Sequence, residues 1–472
     1  MKKGGAPFAT DPKVESSLRH SIKDGVYFSM MTGGAESYFS AYGIFLQLST
    51  SMIGLLASLP PLLASLMQIA SAWLGRKIGR RRPIIVGGAL LQAASLLPMC
   101  AIPKLPADLQ GPALIAIVFI YLCGPNIGAP QWNSLVGDLL PEQRRGRFFA
   151  TRTRYASIAS LAALVVAGLV VDTFDRLDQT HWGFVCIFAG AILARCASAY
   201  HLAAMSDPGG HVASLAVPDD LTLWHRIRRS KLLRFSFFFA TMQAAVAISG
   251  PYFTLYMLRD LGLSYVEFMV ITFASVLTQF LTLNRWGRLS DLFGNRLLLT
   301  TTAILITVIP AMWLISTNYV WLLAVQMLSG LCWAGFTLSA TTFVFDLTPP
   351  DRRQILFAAH NVLAAIGVFL GAGMGAILVA YVPAEISLGA TSVSIATPLL
   401  GLFFVSCLAR IMVVLLFVRT LKEVRRVRPM SMTGLIFRVT RMHPVSGLFY
   451  ELVARGRRDS QRQSSPEEPD GD

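Results

Sequence analysis

The chain has 472 residues, 54% of them hydrophobic and only 14% charged, with a formal net charge of +15. Length alone would suit two or three soluble domains, but apolar runs of near-spanning length recur from Val26 to Val418, and a bilayer core about 30 Å thick takes roughly 20 apolar residues in a helix. The runs are continuous rather than alternating, which excludes a β-barrel and predicts helices that satisfy their own backbone groups in lipid.

The placement of the charge excludes nucleic acid as its reason. All but five of the 41 Lys and Arg lie in the first 23 residues, in connections at 76–82, 144–154, 226–234, 285–296 and 352–353, or from Arg419 onward. The exceptions are Lys104, Arg176 and Arg259 in alternate connections, and Arg195 and Arg410 inside spans. This asymmetry predicts cytoplasmic termini, an even number of spans and attraction to anionic lipid at the cytoplasmic face. The setting it implies is a multi-pass protein of the plasma (bacterial inner) membrane. The first two dozen residues lack the apolar core of a cleavable signal, so the first span is expected to act as an uncleaved anchor. All six cysteines fall in apolar runs without a CxxC pair; they read as buried apolar side chains, with no metal or cofactor expected.

In chain order, a cytoplasmic N-terminus (1–25) precedes spans near 26–47, 51–74, 83–102, 112–137, 153–174 and 182–204. These six are expected to form an N-terminal bundle over 26–204. A polar linker (205–232) contains Asp207-Pro208-Gly209-Gly210 and Arg226-Ile227-Arg228-Arg229. Six further spans follow near 233–258, 265–286, 296–316, 319–345, 355–381 and 397–418, giving a C-terminal bundle over 233–418. The tail (419–472) begins basic and ends rich in Ser, Glu and Asp, reading as an interfacial helix followed by disorder. Pro60, Pro61, Pro125, Pro130 and Pro251 lie inside spans, where broken helices tend to line cavities.

The halves repeat. Gly79-Arg80-Arg81 and Gly294-Asn295-Arg296 lie 215 positions apart, as do Arg195 and Arg410; Asp138-Leu-Leu-Pro141 and Asp346-Leu-Thr-Pro349 are offset by 208. The expected fold is an all-α membrane protein of 12 transmembrane helices. Its two six-helix halves would be related by a pseudo-twofold axis along the membrane normal.

The loops after the second and eighth spans carry a family resemblance. Gly287-Arg-Leu-Ser-Asp291-Leu-Phe-Gly294-Asn-Arg296 fits the pattern G-x-x-x-D-R/K-x-G-R/K-R/K, and Ala72-Trp-Leu-Gly-Arg76-Lys77-Ile-Gly79-Arg80-Arg81 follows it with Arg76 at the acidic position. In these loops the chain resembles the major facilitator superfamily over about residues 20–420. The resemblance implies a secondary active transporter that moves a small solute by alternating access. It also implies a cytoplasmic gate, asymmetric here because Arg76 replaces the acid of the first-half loop, so that the gate is expected to rest mainly on Asp291. Arg80 is expected to pair with Asp138 and Arg296 with Asp346, while Asp291 faces the fifth helix near Arg152. The alternative is that these charges only set topology.

Glu36 sits about ten residues into the first span, roughly 15 Å deep at 1.5 Å per residue, and a carboxylate at mid-membrane costs about 3 kcal/mol. Such groups face partners or water-filled cavities, so Glu36 is the candidate proton-coupling or substrate residue. It shares a helical face with Phe39, Ser40 and Gly43. Further cavity-lining candidates are Asn126 and Trp132 in the fourth span, Gln243 and Tyr252 in the seventh, and Gln326 and Trp333 in the tenth. Arg195 and Arg410 are expected to snorkel or to pack between bundles. Gly367-x-x-x-Gly371-x-Gly373-x-Gly375 reads as a packing surface.

A small-molecule substrate and protons are the expected partners, and the protein is expected to act as a monomer. No nucleotide-binding G-x-x-x-x-G-K-S/T and no hydrolase elbow occur, so neither an ATP-driven pump nor an enzyme is expected. A non-transporting assembly or scaffold protein of the same fold stays open, as does the direction of transport.

Overall fold

The computed structural model describes residues 8–140, 144–207, 231–348, 353–381, 385–388, 391–394 and 397–417. Most of the expected linker and the whole tail from 418 lie outside them. Helix α1 (Pro12–Gly34) starts where Asp11 accepts from the Lys13 N–H (2.8 Å) with Pro12 at the first helical position, the arrangement that satisfies an N-terminus locally. It stops at Gly33-Gly34. A 3-10 turn (Glu36–Tyr38) and the short α2 (Phe39–Phe45) complete the first segment. The second segment is divided too, into α3 (Thr50–Ser65) and α4 (Met67–Ile78), with Pro60 and Pro61 removing two N–H donors one turn before the break.

The remaining helices of the first half are α5 (Arg81–Ser95), α6 (Ala107–Leu139), α7 (Arg145–Asp175) and α8 (Thr180–Ala203). In the second half α9 (Lys231–Ala247) unwinds at Gly250-Pro251 into α10 (Tyr252–Leu255) and a π-helical turn, Tyr256–Asp260. Helix α11 (Tyr265–Phe293) opens with a capping box between Ser264 and Glu267. It is followed by α12 (Asn295–Met312), α13 (Tyr319–Leu347), α14 (Arg353–Leu378) and α15 (Pro398–Phe417).

Ten helices or helix runs among the described residues are long and apolar enough to cross a membrane. The two segments expected as the first and second spans are interrupted and are not among the ten. Large apolar side chains such as Val166, Leu193, Leu281, Leu370 and Leu415 face outward, as lipid rather than water requires. The expectation of helices alone needs one correction. Strands β1 (Glu385–Leu388) and β2 (Thr391–Ser394) pair antiparallel, Glu385 opposite Ser394. Ile386, Thr391 and Val393 are β-branched types suited to a hairpin in a connection too long for a tight turn.

Small residues set the helix spacing inside the second half. A Cβ built on Gly367, Gly371 or Gly375 would fall 2.0–2.4 Å from the carbonyl oxygens of Ala240, Ala244 and Ile248. Helices α14 and α9 therefore touch backbone to backbone.

The apolar core divides unevenly. At one end a single cluster joins both halves: Tyr38, Tyr42 and Phe184 pack in it with Tyr256, Phe268 and Trp313. The Tyr38–Phe268 and Phe184–Tyr265 ring pairs cross between the halves there. At the other end each half has its own core, Leu18, Ile85 and Phe148 in the first, Phe235, Phe238 and Phe343 in the second. Two hydrogen bonds between the halves lie at the joined end. Arg259 Nη1 donates to Thr50 Oγ1 (3.2 Å), and the Val266 N–H donates to the buried Asp172 carboxylate (3.3 Å).

Candidate functional site

Glu36 stands at the break of the first segment. Its neighbours Ala35, Tyr38 and Phe39 are buried, yet Glu36 itself is exposed, so it borders an open space although it belongs to the middle of a helical segment. Its Oε2 accepts a 3.0 Å hydrogen bond from the Tyr121 hydroxyl. Tyr121 is fully buried in α6 and is fixed by an edge-to-face contact with Phe39, ring centres 5.0 Å apart. The aromatic packing thus holds a hydroxyl donor on the carboxyl group of Glu36.

A second acidic residue lies between α1, α7 and α8. Asp24 is 3% exposed. Arg152 donates to its Oδ2 at 3.2 Å, and Ser198 donates to its Oδ1 at 2.7 Å while receiving Arg195 Nη1 at 2.6 Å. The Arg195–Asp24 separation is 3.9 Å. The two guanidinium groups also lie over rings, Arg152 over Trp132 (4.4 Å) and Arg195 over Phe28 (4.8 Å). Arg195 therefore does not snorkel: it closes a buried charge relay with Asp24.

The corresponding place in the second half holds no carboxylate or arginine among the described residues. Ser236 and His360 Nδ1 are 2.9 Å apart, which aligns Ser236 with Asp24 just as His360 aligns with Arg152. Arg410, the repeat counterpart of Arg195, is 2% exposed and reaches the opposite way. Its Nη1 donates to Ile306 O (3.0 Å), and its Nη2 donates to Ser249 Oγ (3.1 Å) and Val246 O (3.4 Å). Ile306 O is available because Pro310, four residues on, has no N–H to give it. Arg410 also borders a cavity of about 160 Å³.

One of the loop charges meets a partner different from the one expected. Asp138 pairs with Arg81, at 2.5 Å, and not with Arg80, which is exposed. The side chain that turns inward is the first residue of α5, and its Nε is 3.5 Å from Asp207. Asp207 also accepts from the N–H groups of Arg81 and Arg82 (2.8 and 3.0 Å), capping α5 from the far end of the half. Arg152 is engaged with Asp24 in this structure, and the side chain of Asp291 lies outside what is described. Asp346 accepts from Asn295 (2.9 Å), which is itself bonded to Ser290. Gly79 (φ +69°) and Gly294 (φ +86°) take the left-handed turns that the loops need.

The cavity-lining candidates separate into groups. Phe39 and Tyr252 are buried packing residues; the Tyr252 hydroxyl donates to Ala372 O and rests against Gly54 of the other half. Ser40 is half-buried. Asn126 accepts from Gln68 (3.1 Å) and Trp132 lies beneath Arg152. Gln243 leaves its Oε1 without a hydrogen bond. Gln326 and Trp333 are brought together with Arg410 around the cavity. Sequence reasoning missed Tyr121, an ordinary aromatic residue in an apolar run, and Asp24, which falls two residues before the expected span.

The family model described as Major Facilitator Superfamily matches the chain twice, over residues 26–254 and 235–454. No curated protein matches the chain. Among solved structures, the nucleoside transporter NupG is 13% identical, covering 86% of this chain and 100% of its own with a TM-score of 0.64. A D-xylose-proton symporter is 13% identical (88% and 99% covered, TM-score 0.65). A bacterial homologue of the iron transporter ferroportin in an inward-facing state is 12% identical (85% and 98%, TM-score 0.60). At these identities the likeness concerns the fold alone.

Proposed function

The chain belongs to the major facilitator superfamily, and from that premise we propose that it is a secondary active transporter which couples a small solute to protons through Glu36. One observation carries this reading: an exposed carboxyl group at the break of the first segment, held by the Tyr121 hydroxyl. Charged, Glu36 accepts from Tyr121 and needs water or a cation beside it. Protonated, it is neutral and gains a donor of its own. Only the neutral form removes the cost of about 3 kcal/mol for a mid-membrane charge, so protonation would license closure of the halves around the site.

Two ends with different cores supply the moving parts. The joined end, with Asp172 against the start of α11 and the shared aromatic cluster, is read as the closed outer gate. The positive-inside distribution puts the end with separate cores on the cytoplasmic side, which makes this an inward-open state with both termini cytoplasmic. There the charges Arg81, Asp138, Arg152, Asp291, Arg296 and Asp346 are proposed to form and break contacts as the halves rock. Glu36→Gln tests the assignment. In proteoliposomes it should abolish accumulation driven by a pH gradient while leaving solute exchange at equal pH intact. Unchanged gradient-driven accumulation in the variant would remove Glu36 from coupling.

A further inference from the structure

Arg410 is a buried cation whose charge nothing described nearby balances. A guanidinium has five N–H donors. Those of Arg410 reach three acceptors, two backbone carbonyls and the Ser249 hydroxyl, and the Nε–H has none. No carboxylate among the described residues lies within ion-pair range of it. Capping the Ile306 carbonyl freed by Pro310 accounts for Nη1 alone and not for the need for a full charge, since burial of an unpaired ion costs several kcal/mol. Its counterpart Arg195 has the Asp24 carboxylate within reach.

The space beside Arg410 has the chemistry to complete it. The cavity of about 160 Å³ is bounded on the polar side by Arg410, Gln326 and Ser329, and on the apolar side by Phe253, Trp313 and Trp333. Its volume is several times that of one water molecule, which occupies about 30 Å³ in the liquid. One wall is the unwound stretch between α9 and α10, where Gly250 is exposed. That break gives the cavity a boundary that helix movement can open.

We propose that this cavity is a binding site for a small monocarboxylate with an apolar or aromatic body, its carboxylate on Arg410 and Gln326 and its body among Phe253, Trp313 and Trp333. A carboxylate beside Arg410 supplies the missing counter-charge, and charge-assisted bonds to arginine are roughly twice as strong as neutral ones. The aromatic walls suit a flat or branched body rather than a hydrated inorganic ion. The proposal deepens the transport reading and rests on it only for the claim that the bound acid is the cargo.

The test uses the purified full-length protein with benzoate as probe, benzamide as its neutral partner of similar shape, and sulfate as an inorganic anion. Binding is read by tryptophan fluorescence, because two tryptophans line the cavity, and by thermal stability. Benzoate should quench and stabilise; benzamide and sulfate should bind at least about tenfold more weakly, one tenfold step being about 1.4 kcal/mol. Arg410→Gln should lose benzoate binding at least tenfold. Should that variant fail to fold, Ser329→Leu decides, since it fills the cavity and leaves every arginine contact in place; it should lose benzoate binding equally. A silent benzoate titration, equal binding of benzamide, or undiminished binding to folded Ser329→Leu overturns the site. The transport reading fails separately. Benzoate binding without any gradient-driven flux retains the site and removes the transporter, whereas Glu36-dependent flux of a neutral solute without benzoate binding does the reverse.

Discussion

The two halves of the molecule resolve the same problem, an arginine buried in the sixth and last helical segments, in opposite ways. In the first half Arg195 turns toward Asp24, where Arg152 and Ser198 complete a relay. In the second half the residue aligned with Asp24 is Ser236, and Arg410 turns the other way, to two backbone carbonyls and to a cavity. A repeat conserves where a charge is inserted, but local chemistry decides what it does there. Where an acid is at hand the charge is structural; where none is, it remains available to a ligand.

The sharpest way to break this comparison is to remove the acid. Asp24→Asn leaves the buried Arg195 and the half-buried Arg152 without their carboxylate, and we expect a loss of about 3 kcal/mol. The matching change Ser236→Ala removes one neutral hydrogen bond and should cost about 1 kcal/mol. Thermal unfolding of the two variants side by side checks this, and equal effects would dissolve the distinction between the halves. Next in size is the loop pair. Arg81→Ala removes the ion pair with Asp138 and the longer one with Asp207 and should lower stability by about 1–2 kcal/mol, whereas Arg80→Ala should fall within about 0.5 kcal/mol of the parent.

Smaller effects sharpen the account of movement. Tyr121→Phe removes the hydroxyl that holds Glu36 but keeps the ring against Phe39. A reduction of up to about tenfold in gradient-driven transport is expected, from a hydrogen bond to a charged group worth about 1.5 kcal/mol or somewhat more. Asp172→Asn keeps an acceptor for the Val266 N–H and loses the charge at the start of α11, a contribution of about 0.3–1 kcal/mol. It should shift the population modestly toward opening at the joined end, seen as greater accessibility of a cysteine introduced at Thr50.

The repeat, the loop glycines and the placement of most helices were legible in the sequence because hydropathy and charge asymmetry act over whole segments. Contacts decided by one residue were not. Three consecutive arginines at 80–82 give no sign which turns inward; the helix start does, and it selects Arg81. Asp24 reads as a loop charge by hydropathy, yet α1 begins at Pro12, well before the apolar run. The direction of Arg410 depends on the one carbonyl freed by Pro310, that of Ile306, and on the replacement of Asp24 by Ser236 at the aligned place, which pattern alone does not reveal. Tyr121 carries no signal in an apolar helix until its partner is placed.

The central claim is that Glu36 carries the proton. Proton movement on solute addition, followed with a trapped pH dye in proteoliposomes, tests it most directly. The panel would pair monocarboxylates with sugars and nucleosides, on the parent and Glu36→Gln. The account predicts a solute-dependent proton flux in the parent that the folded variant lacks while still exchanging solute. The same flux in the variant, or solute transport in the parent with no accompanying proton, would contradict it.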